Sequence, residues 1–537
     1  MHYPLTLRGM LERARLFYPQ KEIVSRMPSG VVRHTYAQYY SRVCQLANAL
    51  QALGVRRGDR VATFAWNHHR HLEAYFAVPC MGAVLHTVNI RLPAEHIVYL
   101  LNHAEDKVLL VDEDLLPVIL SLREQFTTVK QIIVMSDKPL GATDLLDYET
   151  LIKEQPTTFA WPEDIDEWEP AGLCYTSATT GNPKGVLYAH RAIYLHSMLL
   201  CMADSVGLSE RDSVLPVVPM FHVNAWGLPF AAVWMGTKQV LPGSRPTPAD
   251  LAHLMQDEKV TLAAGVPTVW LGLLQVLEKG DFDLSSLSRI ACGGSAVPRA
   301  LAEAYRKKLG LPILHAYGMT EATPLTHVCN LKSSMDGYTP DQQQDVYDKQ
   351  GILMPGLEMK ILDGAGNEVT WDGKTFGEVC LRGPWIAAEY YRDERSKDTF
   401  YDGWYHTGDI GVVDPEGYLK LVDRAKDVIK SGGEWISSVD LENAIMAFPG
   451  VAEAAVVACQ HPVWDERPLA CIVAKAESKG TLDKQAIFEF LRERFPHYWV
   501  PDDAIFLEEL PKTGTGKFDK KVLRHKFRNH FVQSSAS

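Results

Sequence analysis

Segments of helical periodicity alternate with short apolar runs through the first half of the chain, and this alternation limits the possible folds most. In "QLANALQALG" the apolar residues recur at helical spacing, and Gly54 closes the segment as a natural C-terminal cap. "DRVATFAW" then reads as a buried strand, and the pattern returns in "HIVYLLNHAED" as helix, "KVLLVD" as strand and "QIIVMSD" as strand. Strands separated by helices pack as parallel sheets with covered faces, so the expected class is α/β. From about Gly351 the texture changes. "GLEMKILDGAGNEV", "FGEVCLRGPW" and "GYLKLVDR" are short strands joined by Asp-Gly and Gly-Asn turns, which predicts a small β-barrel-like subdomain.

At 537 residues the chain exceeds one ordinary domain. After Asp423 a lysine-rich turn, "RAKDVIKSGGEW", precedes a helix opened by Ser437-Ser438-Val439-Asp440, which fits a capping box with Leu441, Ile445 and Phe448 on the apolar face. Two strands ("AEAAVVACQ", "PLACIVAKA") and a helix ("DKQAIFEFLRERF") complete an α+β module of about a hundred residues, near the minimum for an independent unit. The expected division is 1–423 and 424–537, with the joint near Lys426.

The net charge of −12 argues against a nucleic-acid partner, although a local lysine cluster can still bind an anionic small molecule. Nine dispersed cysteines without paired spacing read as reduced, buried thiols. The opening "MHYPLTLRGMLERARLFYPQ" lacks the apolar run of a signal peptide, and "GLPFAAVWMG" falls far short of the ~20 residues of a membrane span. A cytoplasmic protein with no membrane span is expected. "NHHRH" (Asn67–His71) looks like a metal cluster, but with no carboxylate or cysteine at suitable spacing it reads instead as the start of a helix with solvent-facing histidines.

"YTSATTGNPKGVL" (Tyr175–Leu187) begins where the apolar strand "AGLCYT" ends, the edge at which open α/β sheets bind ligands. It offers the hydroxyls of Thr176, Ser177, Thr179 and Thr180 and the cation of Lys184, with Gly181 and Gly185 permitting close backbone approach; such a loop cradles phosphate. It is not the G-x-x-x-x-G-K-[ST] nucleotide loop, because the required Gly before Lys184 and the Ser or Thr after it are missing.

Further blocks follow: "VPMFHVNAWG" (Val218–Gly227), "GGSAVP" (Gly293–Pro298), "HAYGMTEATP" (His315–Pro324), "GWYHTGDIG" (Gly403–Gly411), "DRAKDVIKSGGEWIS" (Asp423–Ser437) and "PKTGTGKFDK" (Pro511–Lys520). In order and over nearly the whole chain they resemble the adenylate-forming superfamily of acyl-CoA synthetases, luciferases and adenylation domains. The resemblance is strongest, through "PMFHVNAWG" and "KSGGEWISSVDLEN", to medium- and long-chain fatty-acyl-CoA synthetases and the methylthiopropionate-CoA ligases allied with them.

The resemblance implies that ATP and a carboxylic acid give acyl-AMP and pyrophosphate, after which the acyl group passes to CoA. Thr176 and Glu321 would hold Mg²⁺, Ser177 to Lys184 would surround the β- and γ-phosphates, and Thr320 would reach the α-phosphate. Tyr317 and Gly318, with Gly293, Gly294, Ser295 and Ala296, would wall the adenine; Asp409 would take the ribose hydroxyls, with Arg424 supporting ribose or phosphate. Lys517 would bridge carboxylate and phosphate during adenylation. The C-terminal module would then pivot at Lys426 and bring Lys430, Gly432, Gly433 and Trp435 to CoA. His222 would lie by the carboxylate, and Trp226 and Gly227 would gate an acyl tunnel lined by Val223, Leu228, Phe230, Val233 and "GVPTVW" (Gly265–Trp270), with Gly318 at the substrate as well.

Relatives of this kind often form homodimers, and the expectation extends to this chain. Ala178 stands where the family usually has Gly; if that position needed positive φ, the alanine would cost on the order of 1–2 kcal/mol. Four alternatives stay open: a short-acid ligase such as one for 3-methylthiopropionate, an enzyme that loads a separate carrier protein, a luciferase-like oxygenase, and an impaired member that binds nucleotide or acyl chains.

Overall fold

The helix expected at "QLANALQALG" spans Tyr36–Ala52 in the computed structural model, which describes residues 2–141, 143–176, 181–425, 427–431, 434–512 and 518–534, with backbone alone at 434, 435, 533 and 534. Thr35 caps it: the hydroxyl accepts from Gln38 N–H, and the Gln38 side chain accepts in return from Thr35 N–H. Val43, Leu46, Ala47 and Leu50 form its buried stripe, and Gly54 follows with φ +85°.

The expected strands Arg60–Phe64, Asp106–Asp112 and Gln131–Met135 pair in parallel, joined by Val84–Thr87 and Pro170–Tyr175, within a 7-stranded sheet. Neighbouring residues alternate between two cores: Val61 and Leu110 face one, Ala62, Leu109 and Val111 the other. Burial on both faces is why these strands read as continuous apolar runs.

A 14-stranded sheet supplies the second layer. Its parallel part comprises Lys238–Leu241, Ser213–Pro216, Leu262–Gly265, Arg289–Gly293 and Ile313–Gly318. The antiparallel strands expected after Gly351 are hydrogen-bonded onto its edge: Leu325–Val328 leads to Gly351–Leu353, Tyr418–Arg424, Trp404–Val413, Gly377–Arg382 and Glu358–Leu362. The small β unit therefore continues the α/β sheet.

A third, 5-stranded sheet contains Ile429–Ser431, Glu434–Ile436, Val451–His461, Asp465–Ala474 and Asp503–Phe506. The helix Ser438–Met446 covers it with Leu441 and Ile445, while Phe448 is half-buried just beyond the helix. The Ser437 hydroxyl accepts from Asp440 N–H, as the capping pattern predicts, and donates to Val422 C=O at 2.9 Å. Ion pairs Lys420–Asp440 and Asp427–Arg524 lie beside this joint.

The histidines of "NHHRH" overturn the solvent-facing expectation, since the helix His69–Cys80 is buried along its length. His68 Nε2 meets Asp112 Oδ1 at 2.7 Å, and His71 bonds Thr63 Oγ1 and Trp66 C=O, each at 2.9 Å. A carboxylate does lie nearby, contrary to the local spacing argument: Glu73 sits with His34 and His69. Its carboxylate meets Arg42 at 2.6 Å and accepts a hydrogen bond from Tyr148, while His69 Nδ1 is buried without a hydrogen-bond partner among the described residues. The nine cysteines are free and, except for half-buried Cys201, buried; burial pushes Cys44 and Cys174 up to about 11, which makes them poor nucleophiles.

Candidate active site

The phosphate-type loop joins two antiparallel strands, Pro170–Tyr175 and Gly185–Ala189. Its ends are tied: Thr176 N–H donates to Lys184 C=O at 2.9 Å, and Lys184 N–H donates to Thr176 Oγ1 at 3.2 Å. Gly181 has φ +70°, and the next residue, Asn182, accepts through its carbonyl from both Arg395 terminal nitrogens at 3.1 Å. Lys184 extends over the Tyr390 ring, 4.3 Å from its centroid. Burial lowers the Lys184 pKa, with nearby Glu321 acting in the opposite direction. Ser177, Ala178, Thr179 and Thr180 lie outside the described residues.

Across from the loop, the parallel strands Arg289–Gly293 and Ile313–Gly318 end at one edge. Gly293 and Gly318 are required there by close packing: a Cβ would stand 2.4 Å from Ala316 O at the first and 2.3 Å from Pro324 O at the second. The Tyr317 hydroxyl donates to Asp409 Oδ2 at 2.5 Å, and Arg424, opposite Asp409 in the strand register, contributes Nε at 3.0 Å to Oδ1. Asp409 in turn holds the Arg424 pKa above its usual range. The 3₁₀ turn Thr320–Ala322 is fixed by Tyr188, whose hydroxyl donates to Thr320 C=O at 2.7 Å, and by Ala387 N–H, which donates to Glu321 C=O at 2.7 Å.

After His222 the backbone turns left-handed. Val223, Asn224, Ala225 and Trp226 have φ of 47°, 51°, 48° and 59°. Each such non-glycine residue costs about 1–2 kcal/mol, and a β-branched valine is the least suited to it. The turn is held from below: buried Asn224 accepts through Oδ1 from Cys174 Sγ at 2.8 Å and Thr87 Oγ1 at 3.2 Å, while Tyr75 OH donates to Met220 C=O at 2.6 Å. Gly227 ends the turn at φ +75°, where a Cβ would meet His196 Nδ1 at 2.7 Å.

These parts enclose one cleft of about 1030 Å³. Thr176, Lys184, His222, Trp226, Gly294, Ser295, Ala296, Tyr317, Gly318, Thr320, Glu321, Asp409 and Arg424 all line it. Gly181, Gly227 and Gly293 are not among its walls, and exposed Lys430 lies outside it on the strand Ile429–Ser431. Lys426, Gly432, Gly433 and Lys517 fall outside the described residues, as does the side chain of Trp435. Val223, Leu228, Val266, Pro267 and Thr268 line the cleft, but Phe230, Val233 and Trp270 do not. Phe230 packs against Tyr75 and Phe76, and Trp270 is buried under Tyr305, so both belong to the core.

Sequence reasoning missed Tyr390, whose hydroxyl donates to Glu321 Oε1 at 2.7 Å. It also missed Leu200, Val206, Leu274 and Leu301 at the apolar side, and Asn443, Lys520 and Arg524 from the C-terminal part. Glu321 and Thr176 supply a carboxylate and a hydroxyl to the same cleft, the hard oxygen donors that suit Mg²⁺.

Residues 11–391 match the AMP-binding enzyme family and residues 440–517 match the AMP-binding enzyme C-terminal domain. The chain belongs to the AMP-binding enzyme family, within the adenylate-forming superfamily, and its class is AMP-forming acid–CoA ligase. It is 48% identical over 535 residues to a long-chain-fatty-acid–CoA ligase of Thermus thermophilus, covering 99% of this chain and 97% of the relative. A 3-methylmercaptopropionyl-CoA ligase of Ruegeria lacuscaerulensis is 41% identical over 535 residues, covering 98% of each chain. The solved anthranilate CoA ligase in complex with anthranoyl-AMP superposes with a TM-score of 0.88 at 27% identity, covering 99% of both chains. No helix among the described residues is long and apolar enough to cross a membrane.

Proposed function

We propose that the protein activates a medium- to long-chain fatty acid. The carboxylate oxygen attacks the α-phosphorus of ATP, the bond to the pyrophosphate bridging oxygen breaks, and acyl-AMP remains. The CoA thiolate then attacks the acyl carbonyl and AMP leaves. The observation that carries this reading is the continuity of the cleft: polar groups at Thr176, Lys184, Glu321 and Asp409 share one space with the apolar walls Leu200, Val206, Val218, Leu274 and Leu301. Each methylene buried on such walls contributes ~0.8 kcal/mol, which favours longer acids.

Lys184 neutralises phosphate charge where partial burial strengthens the interaction. Glu321 and Thr176 would hold Mg²⁺, which supplies charge neutralisation on the polyphosphate. Tyr390 fixes the Glu321 carboxylate. Asp409, aligned by Tyr317 and Arg424, presents an acceptor to the ribose hydroxyls, and His222 and Trp226 face the reacting carboxylate and the acyl chain. Lys517 serves the first half-reaction and Lys430 the second, with a pivot at Lys426 between them.

The test supplies MgATP, CoA and separate acids from propionate to palmitate, with 3-methylthiopropionate included, and quantifies acyl-CoA, AMP and ADP by mass spectrometry. Acyl-CoA with AMP and an optimum at longer acids supports the reading. A sharp optimum at 3-methylthiopropionate transfers it to the short-acid ligase, a reading favoured by the 41% identity to the Ruegeria enzyme. Absence of AMP with every acid rejects ligation.

A further inference from the structure

A second cavity of about 330 Å³ lies beside the cleft, and of the described residues lining the two, Val206 alone is common to both. The sheet explains the alignment. Ala291 pairs with Leu314 and Gly293 with Ala316, and residues two apart on a strand share a face. Ala291 and Ala316 line the cleft while Leu314, beside Ala291 on the same face, lines the second cavity, so the two spaces adjoin on that face. From Ala316 to Leu314 the strand covers about 7 Å at its usual rise.

Val206 is fixed at the boundary. Its carbonyl accepts from Arg289 Nη1 at 3.0 Å, and the Gly207 carbonyl accepts from the same nitrogen at 2.6 Å. From the other side Asn330 Nδ2 donates to the carbonyls of Asp204 at 2.9 Å and Ser205 at 3.1 Å. Arg289 is itself anchored by Asp212. The backbone around Val206 is thus clamped by side chains from two strand ends, and the residue is 6% exposed. The heads of Arg289 and Asn330 are so occupied, and the second cavity presents the apolar surfaces of Ala203, Pro312 and Leu314 together with Ser288 and Ser205, whose buried hydroxyl has no hydrogen-bond partner among the described residues.

We infer that Val206 is a specificity-determining residue: it closes the acyl end of the cleft and limits the chain length accepted, and the cavity behind it takes the distal methylenes when the stop is shortened. This rests on the fatty-acyl ligase reading.

The experiment measures kcat/KM for hexanoate and palmitate with the wild type, Val206→Ala, Val206→Phe and the double variant Val206→Ala/Leu314→Trp. The palmitate-to-hexanoate ratio cancels any loss of folded protein common to both acids. Val206→Ala raises the ratio by at least about fourfold, the gain of one further buried methylene. Val206→Phe lowers it about tenfold or more, and Leu314→Trp, by filling the second cavity, cancels the gain of Val206→Ala. Unmoved ratios in an active enzyme overturn the role of Val206 while leaving the ligase reading intact. A wild type inactive on both acids, and on the wider panel, overturns the ligase reading and this inference with it.

Discussion

The phenol of Tyr390 donates to Oε1 of Glu321 at 2.7 Å, and its ring lies beneath the Lys184 ammonium at 4.3 Å. One aromatic side chain thereby ties the carboxylate expected to hold Mg²⁺ to the cation expected to meet the phosphates, although 69 residues separate Tyr390 from Glu321 in sequence.

Tyr390→Phe keeps the ring under Lys184 and removes only the hydrogen bond to Glu321. A bond to a charged group contributes roughly 1.5–3 kcal/mol, so KM for MgATP should rise about tenfold or more while KM for CoA changes little. Steady-state kinetics against each substrate checks this; equal rises for both would count against it.

Lys184 gives ATP binding a pH dependence of known sign. Burial lowers its pKa, so as pH rises the ammonium is lost before an ordinary lysine at ~10.4 would lose it. ATP affinity should therefore weaken on the alkaline side. Lys184→Arg should keep its affinity to higher pH, because the guanidinium remains charged. Calorimetric titration at a series of pH values would show two parallel curves if the lysine played no part.

Asn224→Ala removes the acceptor that holds the left-handed turn onto Cys174 and Thr87. A loss of about 1–3 kcal/mol in stability is expected, seen as a lower Tm. The accompanying release of Trp226 should lower kcat/KM for fatty acids more than the affinity for ATP. A variant with wild-type Tm and unchanged acid preference would show that the turn stands without this support.

Lys517→Ala should slow acyl-adenylate formation far more than thioester formation from supplied acyl-AMP. Measured separately, equal losses in the two half-reactions would remove Lys517 from the adenylation step.

Periodicity made the parallel strands and their helices legible, because strands buried on both faces leave an unbroken apolar run and Gly54 marks a helix end; it did not reach the Thr35 cap, which lies before "QLANALQALG". It could not show that the strands after Gly351 join the α/β sheet, since hairpin signals name a strand's neighbour in sequence but not the partner at its outer edge. Some of the motif residues, among them Thr176, Lys184, His222, Tyr317, Glu321, Asp409 and Arg424, line one cleft, while Gly181, Gly227, Gly293 and Lys430 do not; the supports of that cleft did not show in the sequence. Tyr188, Tyr390 and Asn224 act across the fold, and nothing in their local spacing marks them. The histidines of "NHHRH" misled for the same reason: burial of that helix between two sheets is a property of the packing, absent from five consecutive letters.

Gly318 in the wall of the cleft, and Gly293 on the neighbouring strand outside it, mark a side that cannot change. A methyl group at either position would press into the backbone oxygen of a neighbouring strand or loop, so the cleft cannot be reshaped there without disturbing the sheet that carries Tyr317. Leu200, Leu274 and Leu301 on the facing helices carry no such constraint. Diversification towards other acids is therefore channelled onto Leu200, Val206, Leu274 and Leu301, leaving the nucleotide chemistry unchanged while the preferred acid drifts.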